Sequence, residues 1–598
     1  VLKTIKNSLK TNQTVFGIVC AVLSALAFSH YFPTTSSVFL LLIAVLTAIS
    51  CIYVCKNTPK QYKPQAILSV FLSLFVSIGR LIQLHGDGYE NFLNHDIPMN
   101  LISMAGLWLF FFFITSAAFV LIDRTTPAAG DRLIKMSYWK VFLICWAIIF
   151  ICYIPYLLAF YPGVVSNDSY NQIEQVLGLR AYSNAHPAAH TFLIWICFKI
   201  GHLFSFGNNT CVAIYSISQM LFMSAVFSYT ATYILRRRAP KWVFIATVGF
   251  FALFPMNGFF AITMWKDFVF SCFLLLLIIC LLEIVRTKGR WLASVWHCIG
   301  ISVLFIAIGI FRSNGVIVLG ITALAMLIFL RNKKLRFILL AGGSFVVVML
   351  YQSVFLSSLG VLQTSTTEAL GIPMNQICRV AATGKELNEE QQQLIENLVG
   401  TDVKDVYKPY GYDPIKFNPK YHQKALDEHV DDYMKLWADL LIRYPDVYVE
   451  SYFCQTLGYW YPDMQNEITD AYVHENPSGI YELNLVPALR DFLFNYAKPE
   501  NFFNNPFLWC FNNMAYYVWA VGFLIAYCFY KRKGILLLAW MPLVATWLSI
   551  MISAPVNHVS RYIYIFFIAL PLVVVESIYN ISDYEVDQKN AKKITDKV

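Results

Sequence analysis

From Val15 to Ile578 the chain is largely a succession of apolar runs close to twenty residues long, joined by short segments in which lysine and arginine collect. Nothing constrains the fold more, because a backbone in hydrocarbon must satisfy its own hydrogen bonds. A run of roughly 20 apolar residues crosses about 30 Å as a helix. The runs lack the strict alternation of barrel strands, so helices are expected. Composition agrees: 58% of the 598 residues are hydrophobic and only 14% charged, where a soluble domain is nearer half apolar and a quarter charged. The expected fold class is an all-α polytopic membrane protein.

The net charge of +9 conceals a segregation. Of 45 basic and 36 acidic residues, 11 and 22 fall within 357–505, which leaves 34 and 14 elsewhere. A basic balance ordinarily raises nucleic-acid binding. Here the bases sit in short loops between apolar runs, the positive-inside pattern, and nucleic acid is not an expected partner. Most of the 14 cysteines lie inside apolar runs, as small hydrophobes do. Cys378 and Cys454 stand apart in the acidic segment, as one disulfide or as two free thiols; no zinc-ligand spacing is present.

Flanking charges order the runs. Val15–Phe32, Val38–Cys55, Ala66–Leu84, Leu101–Ile122 and Lys140–Phe160 alternate so that the loops bearing Lys56, Lys60, Lys63, Arg124, Arg132 and Lys135 are cytoplasmic. The base-free loop His85–Asn100 is then outside, and so is the turn after Phe160. If Ala188–Phe206 crossed, Arg236-Arg-Arg238 and every later basic loop would fall outside. The pattern closes only if that run lies along the membrane surface. Fourteen spans with both termini inside result, Trp242–Phe260 being one of them. Four regions are expected: 1–138 with four spans; 139–356 as a core with a long first outer loop, 161–209; an extracytoplasmic, mainly helical domain at 357–505; and 506–598 with three spans and a cytoplasmic tail.

Ionisable groups gather at the outer ends of runs. Tyr161-Pro-Gly-Val-Val-Ser-Asn167-Asp168-Ser follows directly on Lys140–Phe160 and sets a carboxylate on a Pro/Gly turn at the interface. Asp168 there is a helix N-cap or Asx turn, or a base that takes a proton from a hydroxyl. Lys266-Asp267 is a local ion pair at a helix end, or a phosphate-holding cation beside a second carboxylate. Arg312-Ser-Asn-Gly315 and Arg561-Tyr562 each put an arginine on the same face. Such an arginine snorkels to head groups, or its planar fork grips a phosphate. His186-Pro187 and His190 are structural, or bind substrate with Asn167; with Asp168 they also form a candidate set of divalent-metal ligands, at no recognised spacing. The aromatic run Gly458-Tyr459-Trp460-Tyr-Pro-Asp463 packs on the membrane or shapes a sugar site. There is no glycine-rich phosphate loop and no nucleophile elbow.

On these residues the chain resembles the GT-C superfamily of polytopic glycosyltransferases. In that superfamily the first core span leads into an outer loop with a catalytic acid and membrane-parallel helices. Lys140–Phe160, Asp168 and Ala188–Phe206 follow that order. More closely, it resembles a bacterial, mainly Gram-positive, family of GT-C-like membrane proteins. The likeness rests on Tyr161–Ser169, His186-Pro187, Trp265-Lys-Asp267, Arg312–Gly315, Ile372–Arg379, Gly458–Asp463 and Arg561-Tyr562.

The resemblance implies a core of about seven spans, a polyprenyl-phosphate-linked sugar donor, a cell-envelope acceptor, and inverting transfer on the outer face of the cytoplasmic membrane. One departure is that a single carboxylate is followed by Ser169, where the mannosyltransferases carry paired acids. This leaves a divalent cofactor open and moves any second acidic role to Asp267 or Glu174. The expected roles are then Asp168 and Asp267 as catalytic acids and Lys266, Arg312 and Arg561 on the donor phosphate. Asn167, His186, His190, Tyr459, Trp460 and Asp463 are expected on the substrates. Close alternatives are a polymerase or ligase of lipid-linked glycans, a flippase of lipid-linked sugars, and a non-catalytic scaffold. A flippase would place polar groups deep inside spans, whereas these runs are apolar through their middles.

Overall fold

The computed structural model describes residues 13–126, 136–330, 334–364, 366–462, 473, 476–498, 501, 511–553, 556–557 and 559–579. Among the described residues all regular structure is helical, with four isolated backbone bridges and no strand. Ten helices are long and apolar enough to cross a membrane. Gln13–Tyr31, Ser37–Lys56, Lys63–Leu84 and Ile97–Thr125 make up the N-terminal region. Tyr138–Ala159, Asn208–Arg236, Lys266–Arg286, Leu335–Ser358, Gly534–Ser553 and Ser560–Ile578 are the others. Three further runs expected to cross form shorter apolar helices, Val295–Phe311, Gly315–Ile328 and Met514–Tyr530.

One expected span is broken. Trp242–Phe260 divides into Lys241–Leu253 and Pro255–Ile262, bent by 48°. Pro255 lacks an amide proton and disfavours helical backbone in the residue before it, and Phe254 is extended. Freed carbonyls in an apolar setting need donors. The side-chain amide of Asn257 donates to Phe250 O at 3.0 Å, and the Tyr153 hydroxyl donates to Phe251 O at 2.7 Å. Tyr564 in turn donates to Asn257 Oδ1 at 2.6 Å. The second half of the pair runs on into the extended Thr263–Trp265 and then into helix Lys266–Arg286.

Helix Ala188–Leu203 has both ends on one face of the molecule. Ala188 packs with Leu356 and Val361 at the end of the 335–358 helix, where the chain leaves for the acidic domain. Just past its other end, the Asn208 amide donates to Ser478 O at 2.8 Å, and Asn209 Oδ1 accepts from Tyr481 N at 3.1 Å. That same segment reaches the turn after the first core helix, through Leu483 N to Tyr161 O at 2.7 Å. Both ends of the helix are therefore anchored, one on Leu356 and Val361 and the other beside Ser478 and Tyr481. Its outward side is apolar, with Trp195, Ile196, Ile200 and Leu203 exposed, as a helix lying in the interface requires.

The acidic segment has its own small core, which includes Met374, Ile377, Leu398, Leu426, Leu436, Leu440 and Tyr448. It is narrower than 357–505. From Cys454 to Tyr461 the chain packs instead in the main core of the apolar helices. Cys378 and Cys454 are free, buried thiols. Arg379, from the Ile372–Arg379 stretch, pairs with Glu450 at 2.9 Å, and both side chains are fully buried. The pair grips the loop after helix Lys63–Leu84. Arg379 donates to Gly88 O at 2.6 Å and Glu90 O at 3.2 Å, while Glu450 accepts from the Phe92 and Leu93 amides at 2.7 and 2.9 Å. Gly88 has φ +88, and a β-carbon there would lie 2.6 Å from Cys454 Sγ. This is how the four N-terminal helices are tied to the domain.

Candidate functional site

Two chain segments meet beside the first core helix. Val164 N donates to Ile262 O at 2.9 Å and Met264 N to Val164 O at 3.0 Å, a short parallel pairing of the 161–165 turn with the extended 263–265 stretch. Only glycine fits at 163: φ is +130, and a β-carbon would lie 2.1 Å from Ser216 Oγ. Ser216 donates to Pro162 O at 2.8 Å. Each segment then starts a helix, Asn167–Val176 and Lys266–Arg286, and each carries an acid in its first turn, Asp168 and Asp267. Carboxylates are favoured there by the amide dipoles. Two contacts pin the starts together: the Trp265 indole N–H donates to Ser166 Oγ, and Ser169 Oγ donates to Met264 O at 2.6 Å.

The cap position belongs to Ser166, so Asp168 is not the helix cap. Its Oδ2 faces cations instead, with Lys266 Nζ at 3.3 Å and Arg561 Nη1 at 3.2 Å. His186 Nδ1 lies 3.8 Å from the same oxygen and 3.3 Å from Lys266 Nζ. The neighbours Lys266 and Asp267 do not pair with each other. Asp267 Oδ1 is 3.0 Å from Arg312 Nη1, and its Oδ2 is 3.9 Å from Arg561 Nε. Side-chain exposure falls from 27% at Asp168, through 15% at Lys266 and 14% at Arg561, to zero at Asp267. Asp168 is therefore the acid a ligand can reach, and Asp267 is the buried counter-ion. Arg312 belongs to the inner layer: it reaches the cluster through Asp267 and stacks over Tyr562 at 4.5 Å.

Burial alone would raise the Asp168 carboxyl. Lys266 first, and then Arg561, outweigh it and hold the group far below the usual carboxylate range. His186 goes the other way for a base. Burial first, and Lys266 second, depress it to about 4, so it is neutral at physiological pH. With His186 neutral, the two carboxylates, two guanidinium groups and one ammonium sum to a single positive charge, which suits an anionic ligand.

His190 is fully buried and engaged at both nitrogens, Nδ1 2.8 Å from Gln172 Oε1 and Nε2 2.6 Å from Tyr215 OH. Burial depresses it to about 3, so it is a neutral imidazole. Tyr215 donates to Gln219, whose amide donates to Thr263 O at 2.7 Å and Phe260 O at 2.9 Å. Tyr215 must then accept from Nε2–H, and Nδ1 accepts a hydrogen bond from the Gln172 amide N–H once that amide is turned over. His190 thus supports the 263–265 stretch and does not meet substrate. Asn167 is exposed beside Asp168.

Tyr459 is buried, donating to Val556 O at 2.7 Å and accepting from Trp547 at its carbonyl. Trp460 packs 5.3 Å from Phe75 and accepts from Trp519 at its carbonyl, joining the N-terminal and C-terminal helices. Asp463 lies outside the described residues. Among the described residues no group of three histidines, cysteines or acids is placed to hold a metal, and the Lys266 ammonium lies between Asp168 and His186.

Two ring residues carry weight that the sequence did not reveal. Trp265 lies under Arg561, whose guanidinium carbon is 4.1 Å from the ring centre, and Tyr562 lies between both arginines. Their signal was membership of the Trp265-Lys-Asp267 and Arg561-Tyr562 stretches, which drew attention for their charged residues and gave the rings no role.

Residues 178–592 match a family model described as a family of unknown function, DUF6020, and a match over more than half of the chain makes this protein a member. No curated protein and no solved structure matches the chain.

Proposed function

We propose that this protein is a membrane glycosyltransferase of GT-C type that moves a sugar from a polyprenyl-phosphate-linked donor to a cell-envelope acceptor. One observation carries the reading. A partly exposed carboxylate, Asp168, shares a single site with an ammonium and a guanidinium within 3.3 Å, on a short helix that packs against the apolar helix Ala188–Leu203. In the reaction Asp168 takes the proton of the acceptor hydroxyl, and the acceptor oxygen bonds to the anomeric carbon. The bond from that carbon to the phosphate oxygen breaks, and the electron pair leaves with the prenyl phosphate. The anomeric centre inverts. Lys266 and Arg561 stabilise the charge gained by the leaving phosphate. A phosphate leaves without a proton, so one base and fixed cations suffice. Arg312 and Asp267 hold Arg561 in place from beneath.

The wider reading places this face outside a bacterial cytoplasmic membrane, with both termini inside and fourteen spans when the bent pair and the three shorter helices are counted. The basic residues near Arg236–Arg238, Lys531–Lys533 and the C-terminal tail support that orientation. The test is transfer from a panel of polyprenyl-phosphate sugars to envelope acceptors by the purified protein in liposomes. Asp168→Asn is expected to lower turnover by at least about 10²-fold while the variant still folds and melts cooperatively. Wild-type turnover in that variant would refute the assignment.

A further inference from the structure

Asp168 does more than neighbour the cations: its Oδ2 stands where a bound anion's oxygen would have to stand. Lys266 Nζ at 3.3 Å and Arg561 Nη1 at 3.2 Å converge on that one oxygen. Arg561 has spare capacity, since its Nε and Nη1 have no hydrogen-bond partner of good geometry among the described residues. Its guanidinium is fixed from the other side by Trp265 and Asp267, so it does not turn away to find one. The position where the two cations converge takes one oxygen, either the carboxylate's or a phosphate's.

We propose that Asp168 is the resident occupant of the phosphate position, and that a phosphate group binds by displacing it. The displacement converts the carboxylate from a counter-ion into a base. This rests on the reading of the cluster as the site of phosphate-linked transfer and adds an order to it: the phosphate-bearing donor binds first, and the acceptor hydroxyl is activated only afterwards. In the empty site Lys266 and Arg561 hold the carboxylate ionised and weakly basic. Once phosphate oxygens take those cations, Asp168 keeps the neutral His186 as its near neighbour, and its basicity recovers. Asp267, Arg312 and Tyr562 form the fixed floor and do not exchange. The empty enzyme thereby avoids offering an active base to water.

The test uses the full-length protein in detergent, with farnesyl phosphate and inorganic phosphate as probes, followed by calorimetric titration at neutral pH. If Asp168 competes for the position, Asp168→Asn binds phosphate more tightly than wild type, by about tenfold, even though transfer is lost. Asp168→Ala gives the same sign where the amide variant does not fold. Lys266→Met weakens binding by a similar factor. Glu174→Gln, which removes an acid paired with Arg180 at 3.2 Å on the same helix, stays within about twofold, because general charge is screened over such distances. Tightening with both probes means that the phosphate group alone is recognised, and tightening with farnesyl phosphate alone means that the chain is needed too. Equal or weaker binding by both Asp168 variants overturns the inference, as does an equal gain in Glu174→Gln. Tighter binding without any transferase activity in wild type would leave this inference standing and remove the proposed reaction.

Discussion

At the scale of single residues, the site depends on two acids with the same chemistry and opposite situations. Asp267 is sealed beneath two arginines, and Asp168 faces outward with its charge held by neighbours. His186 makes the electrostatics measurable. Its folded value is depressed to about 4 by burial and by Lys266, against roughly 6.5 in an unfolded chain. Between those values the unfolded state binds the additional proton, so stability rises with pH across about 4 to 6.5 and is complete above it. Melting temperatures taken from pH 4.5 to 7.5 should climb in wild type and climb less steeply in His186→Gln. Identical slopes would mean that His186 is not neutral in the folded protein. Asp168 has the opposite chemistry and the same sign: its depressed value contributes stability above about 3.9 that is lost only under strongly acidic conditions. The sequence made the charged members of this cluster legible, because ionisable groups beside apolar runs are rare. Their pairing was not legible. Adjacent Lys266 and Asp267 looked like partners, yet a helix start points successive side chains in different directions: Lys266 found Asp168, far back in the chain, and Asp267 found Arg312 and, farther off, Arg561.

At the scale of elements, long apolar runs translated into helices almost as read, with ends shifted by a few residues. The failure was at Pro255, inside a run that looked continuous. Hydropathy averages over a window and does not register one missing amide proton. Asn257 could have signalled the break, since a side-chain amide within an apolar run needs a reason to be there. It supplies a donor to Phe250 O and accepts from Tyr564. Asn257→Leu removes both bonds and leaves a buried carbonyl and a hydroxyl unpaired, at a cost on the order of 1–3 kcal/mol. A lowered melting temperature in detergent, together with weaker phosphate-probe binding through the displaced 263–265 stretch, is the expected result. An unchanged melt would show that the bend is held by packing alone. The expectation that Ala188–Leu203 lies along the surface came only indirectly, from the charge balance of loops far from it. Its anchors at Leu356 and Ser478 are what would keep so apolar a run on one face. If it does so, cysteines placed at Asn208 and Asn209 are labelled from the same side as one placed at Asn167, and labelling from opposite sides would return it to the spans.

At the scale of the molecule, the acidic domain and the four N-terminal helices act as one attached body through Arg379 and Glu450. The sequence showed Arg379 as part of a motif without a role, because its partner and the loop it grips are distant in the chain. Glu450→Gln keeps an oxygen for the Phe92 and Leu93 amides but strands a buried guanidinium, a loss of roughly 3–5 kcal/mol. A lower melting temperature and new protease access to the Gly86–Leu93 loop should follow. A protected loop with an unchanged melt would show the clamp to be idle. At the far ends of the helices, Arg237–Glu576 at 2.7 Å and Lys60–Asp123 at 2.6 Å close the opposite face. The frame therefore holds one end shut and leaves its charged, reachable cluster at the other. The account is tested most directly by a structure of the full-length protein in nanodiscs containing a prenyl phosphate. It predicts phosphate density in contact with Lys266 Nζ and Arg561 Nη1, with its chain leaving along helix Ala188–Leu203. Phosphate density at any other place, with Asp168 still bound to both cations, would contradict it.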